Sequence, residues 1–137
     1  MSTRVRKVEY FYTTVEDRPG EAYKVLAGLS DSGIDLLALN AVPAGPMRTQ
    51  LTIFPADSAQ LVTVAQRLGM ALDRGQHALL VQGDDEIGAL ARIHQDLFDA
   101  GVNVYAASGV ASGSGGFGYL VYVKPDDLPD AEAALGI

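Results

Sequence analysis

The sequence has no cysteine and no tryptophan, and only two histidines among its 137 residues. Without cysteine there are no disulfides, no thiolate metal sites and no cysteine nucleophile, and the chain suits a reducing compartment. His77 and His94 belong to no grouping of carboxylates with metal-ligand spacing, so no metal site is expected. Positive charge is also short. Ten Lys and Arg against 17 Asp and Glu leave a formal net charge of −7, which opposes binding to nucleic acid or to an anionic membrane. No apolar run is long enough to span a bilayer. The opening STRVRK is basic but leads straight into the alternating VEYFYTT, so no secretory signal is expected and the cytoplasm is the expected location. Serines and threonines lack a nucleophile-elbow pattern or a paired base. No catalytic residue, no cofactor and no enzymatic activity are expected.

What is present is a repeat. The segment Asp17 to Asn40 returns from Asp85 at a constant offset of 68 residues. Gly20 matches Gly88, Leu29 matches Leu97, Asp31 matches Asp99, and Gly33 matches Gly101 without a gap. Each half alone is small and poor at burying surface. Two modules are therefore expected, residues 1–75 and 76–137.

The first half opens with period-two alternation from Val8 to Thr14, the mark of a strand. Pro19 sets φ for a helical start, Ala22, Val25, Leu26 and Leu29 form one apolar helix face, and Gly33 closes the helix. An apolar strand from Ile34 to Val42 turns at PAGP into a second from Thr49 to Phe54. Asp57 or Ser58 caps the next helix, and a short strand is expected around Met70 to Leu72. The second half repeats this order, with strands at about 77–82, 102–108 and 118–124, a helix at about 86–100, and a last helix after Asp126 or Asp127. The fold class is therefore α+β, two ferredoxin-like βαββαβ units in tandem, the second lacking its last strand. The sheet edge left open calls for a partner subunit, so a homodimer is expected.

Gly113 to Gly118 satisfies GxGxxG, but the following YLVYVKP is a strand, so no helix start is available for a pyrophosphate and the motif reads as a hairpin turn. His94 takes the place of Leu26 on the presumed core face and reads as a partly buried histidine, not a catalytic base.

At DRPG, followed by a helix, a terminal Gly33 and a strand beginning Ile34-Asp35, the chain resembles the ACT domain family of amino-acid-binding regulatory modules. The two copies of the pattern cover nearly the whole chain. The resemblance implies a pair of ACT modules that bind an amino acid at an interface between modules. Carried over by position, the site comprises the turn Val15, Asp17, Arg18, Pro19 and Gly20 with Asp35, and in the second copy Asp85, Gly88 and Asn103.

The residues themselves fit such a ligand. A helix N-terminus with a nearby glycine favours a carboxylate, Arg18 offers a charge-assisted contact, and Asp17 and Asp35 accept from an ammonium if turn and strand start lie together. Gly20 and Gly88 let the backbone approach a ligand closely, and the structural alternatives are that these glycines serve tight helix-to-sheet packing, that Asp17 and Asp85 cap their helices, and that Arg18 is a solvated surface charge. The second copy carries Glu86 where the first carries Arg18, which makes it the poorer carboxylate site. Two functions follow: a non-catalytic sensor binding a free amino acid, or an interaction module that regulates a separately encoded metabolic enzyme.

Overall fold

The computed structural model describes residues 3–137. The order is β1 (Thr3–Glu16), α1 (Glu21–Asp31), β2 (Leu36–Pro43), β3 (Arg48–Pro55), α2 (Ser58–Leu68), β4 (Gln76–Asp84), α3 (Ala89–Asp99), β5 (Val104–Ala111), β6 (Gly116–Val123) and, after a 3-10 turn at Pro125–Asp127, α4 (Leu128–Ala134). The chain forms two compact units, one of residues 9–76 and one of residues 77–137 together with the start of β1 up to Val8.

In the 9–76 unit the strand order is β2-β3-β1. Both pairings are antiparallel, with Phe11 opposite Ile53, Glu16 opposite Arg48, and Leu36 opposite Pro55. The alternation of β1 sends Phe11 and Val15 to the face where Leu29 of α1 and Leu61 and Val64 of α2 join Leu51 and Ile53 in one core. Asp57 caps α2, its carboxylate accepting from Gln60 N at 3.1 Å, a contact of the kind that contributes about 1 kcal/mol. After α2 the sequence expectation of a strand at Met70 to Leu72 is not met. Met70 and Leu72 do send their side chains into the core, but the backbone from 70 to 75 forms no strand. The tie there is a bond from Asp73 N–H to Tyr12 O at 3.1 Å.

In the second unit β4, β6 and β5 are antiparallel neighbours, with Leu79 opposite Val121 and Val104 opposite Val123. Leu79, Val81, Ile93, Leu97, Val121, Val123 and Ala131 form its core. Among the described residues no strand follows α4. The vacant position is filled from within the chain, because β4 lies between β6 and β1 and Val5 of β1 packs on this core. The missing strand is therefore no reason to require a partner subunit. His94 is half-buried, and its Nε2 lies 2.7 Å from the Tyr119 hydroxyl. The glycine-rich segment is a turn joining β5 to β6, where Ser112 N–H donates to Gly116 O at 2.8 Å and Ser112 Oγ accepts from Ser114 N and Gly116 N. Among the described residues no helix is long and apolar enough to cross a membrane.

Candidate ligand site

The turn after β1 is pinned to the β2–β3 hairpin by Asp17 N–H, which donates to Met47 O at 2.9 Å. Helix α1 then starts from Gly20, whose φ of 89° is left-handed, and α3 starts from Gly88 with φ 87°. A Cβ at Gly20 would meet nothing within 4 Å. Glycine is there because of the positive φ, and no other described residue comes close to it. Neither helix has a side-chain cap, so the capping reading of Asp17 and Asp85 is overturned. Asp85 N–H instead donates to Gly115 O at 2.8 Å, the counterpart of the Asp17 bond.

Asp17, Arg18, Pro19 and Gly20 are all exposed, while Val15 is half-buried and packs on the core. Arg18 is held by two carboxylates, Glu16 and Glu21, the latter at 3.0 Å, and Lys24 Nζ reaches the other oxygen of Glu21 at 3.0 Å. Lys24 first and Arg18 second hold the Glu21 carboxyl below the usual carboxylate range. Hydrogen bonding to Glu21, with the charge of Glu16, raises Arg18 above its ordinary value. In the second copy Glu86 pairs with Arg92 at 2.6 Å. Exposed pairs of this kind are screened and contribute little to stability, but they leave the first turn with two cations and the second with one.

Asp35 does not join Asp17 within the unit. Asp17 follows Glu16, which faces Arg48 at the start of β3, whereas Asp35 precedes Leu36, which faces Pro55 at the end of β3. Seven residue steps along that strand amount to roughly 23 Å. Asp35 O accepts instead from Ala56 N at 2.9 Å. Asn103 stands in the same relation to Asp85, exposed and just before β5.

One opening in this unit is one that the sequence did not announce. A cleft of about 630 Å³ is lined by Tyr12 to Val15 of β1, by Lys24, Val25 and Gly28 of α1, by Arg48, and by Leu68 to Ala71 with Asp73. It exists because the strand expected at Met70 to Leu72 is absent, which leaves the flank of β1 away from β3 uncovered there. Tyr12 O faces that flank, since it accepts from Asp73 N. Backbone groups alternate along a strand, so Thr14 and Glu16 face it too. A second cleft, of about 500 Å³, lies in the other unit between Asp85, Glu86 and Leu90 on one side and Val110 and Phe117 on the other.

No family model and no curated protein matches the sequence. Among solved structures, protein BT0572 from Bacteroides thetaiotaomicron is similar over 96% of this chain and 88% of its own, with a TM-score of 0.80 at 16% identity. The regulatory subunit of aspartate kinase from Thermus thermophilus, in its ligand-free form, is similar over 97% of this chain and 93% of its own, with a TM-score of 0.66 at 14% identity. The chain has an ACT-like fold. A structure of aspartokinase alpha and beta subunits agrees over 98% of this chain and 95% of its own, with a TM-score of 0.65 at 18% identity. At these identities the likeness shows the ACT-like fold and leaves function to the residues.

Proposed function

We propose that this chain is a non-catalytic regulatory protein that binds a free amino acid at an interface between ACT-like modules. The observation that carries the reading is the ACT-like fold over nearly the whole chain, similar to that of an aspartate kinase regulatory subunit. The turns Val15 to Gly20 and Asp85 to Gly88 hold the ligand, with Asp35 and Asn103 as the strand-start residues. Because Asp17 and Asp35 of one unit stand at opposite ends of β3, a single ligand takes only one of them from that unit. The first turn is the better carboxylate site, since it carries Arg18 and Lys24 where the second carries Glu86 and Arg92. Calorimetric titration of the full chain with each free amino acid tests this. Saturable binding of at least one is expected, and silence from all of them would sink the reading.

A second reading, an interaction module for a separately encoded metabolic enzyme or for a second copy of this chain, is favoured by the outer strands. Neither β2 nor β5 contains a charged residue, and β5 exposes Tyr105 and Val110. An uncharged outer strand is a template for pairing with another chain. Sedimentation of the protein alone is expected to show a dimer that Ala107→Lys weakens. A monomer at every concentration would contradict self-association.

A further inference from the structure

We infer that the cleft of the 9–76 unit is itself a binding site for a free amino acid with an apolar side chain. This rests on the reading of the chain as an amino-acid binder, and it places a ligand away from the turns assigned by resemblance.

The bare flank of β1 is short. Asp73 N–H takes Tyr12 O at one end, and Arg18 N–H takes Glu16 O at 2.9 Å at the other. Between them remain the N–H and C=O of Thr14 and the N–H of Glu16. That length suits one residue better than an added strand, and the volume of about 630 Å³ is within the range of small-molecule sites. A free amino acid presents to a strand what a neighbouring residue presents: an acceptor and a donor side by side.

The charges around the flank match that polarity. Arg48 and Lys24 line the cleft. Among the described residues no carboxylate pairs with Arg48, and Lys24 spends one of its three donors on Glu21. With Thr14 N–H they form a carboxylate site, where charge-assisted bonds are the strong ones. Asp73, also in the lining, and Thr14 C=O accept from the ammonium. Val25, Leu68, Met70 and Ala71 supply the remaining wall and select an apolar side chain. The cleft over α3 lacks this arrangement, because its charged lining residues, Asp85 and Glu86, are both acidic.

The test is a titration of the ¹⁵N-labelled full chain with L-leucine, L-isoleucine, L-valine, L-methionine and L-aspartate, read by amide chemical shifts. At least one apolar amino acid is expected to move the amides of Thr14, Val15 and Ala71 in a saturable way. Arg48→Gln is expected to weaken it on the order of ten-fold, the scale of a lost charged hydrogen bond. Thr14→Pro removes the N–H on the flank away from β3 and is expected to weaken binding as well. Should Thr14→Pro fail to fold, Lys24→Gln serves in its place. Binding that moves only residues 17–20 or 85–88 and is indifferent to Arg48→Gln would overturn the cleft while leaving the amino-acid reading intact. A cleft response to L-aspartate alone overturns the apolar assignment, and silence from all five overturns the cleft, while only silence from every free amino acid in calorimetry overturns the amino-acid reading as well.

Discussion

Gly109→Ala probes the place where the two halves of the repeat carry matched but different sets of side chains. In the first unit Ala41 faces Leu51 across the β2–β3 ladder. Sixty-eight residues on, Gly109 faces Tyr119 across β5–β6, and His94, the counterpart of Leu26, bonds the Tyr119 hydroxyl at 2.7 Å. A Cβ at 109 would lie 2.5 Å from Tyr119 Cδ1 and 3.2 Å from Gly118 O, so the ring must leave its place. Overpacking of this kind costs about 1–3 kcal/mol, and the displaced ring gives up a hydrogen bond contributing about 1 kcal/mol. The lower chain entropy of alanine in the unfolded state returns roughly 0.4–1 kcal/mol. The net expectation is destabilisation by about 2 kcal/mol. Tyr119→Leu restores the pairing of the first unit and removes the clash, so in that background Gly109→Ala is expected to be neutral or slightly stabilising. Urea unfolding followed by circular dichroism, on the four proteins of the cycle, gives the coupling directly. Additive costs, with a coupling below about 0.5 kcal/mol, would refute the argument.

Two further outcomes are expected. Gly20→Ala places a Cβ on a residue at φ 89° and is expected to cost roughly 1–2 kcal/mol, whereas Gly118→Ala, at ordinary φ and with nothing within 4 Å, is expected to cost nothing; equal melting temperatures for the two would contradict the conformational argument. The Glu21 carboxyl is held below its ordinary range by Lys24 and Arg18, so its contribution is present at neutral pH and is lost as pH falls through that lowered value. The stability difference between the native chain and Glu21→Gln is therefore expected to shrink on acidification, and a difference unchanged between pH 7 and strong acid would rule this out.

The repeat made most of the fold legible, because Gly33/Gly101 and Leu29/Leu97 mark the same helix ends and core positions twice. What escaped was either non-local or conformational. The sequence pattern places the first strand at Val8 to Thr14, whereas β1 already begins at Thr3, and the neighbour that extends it there, β4, lies far along the chain. Met70 and Leu72 have the pattern of a strand because their side chains do enter the core, yet their backbone joins no strand and leaves the cleft open. Gly20 looks the same in sequence whether it serves close approach or a left-handed turn. The DRPG turn and Asp35 sit within one motif, and only the β3 register shows that they lie at its two ends.

Binding of a free amino acid by this ACT-like pair is decided by the melting temperature of the full chain against each of the free L-amino acids. A ligand at ~100 times its dissociation constant is expected to add about 2.7 kcal/mol and raise the transition visibly. A transition that no amino acid moves at any concentration would contradict it.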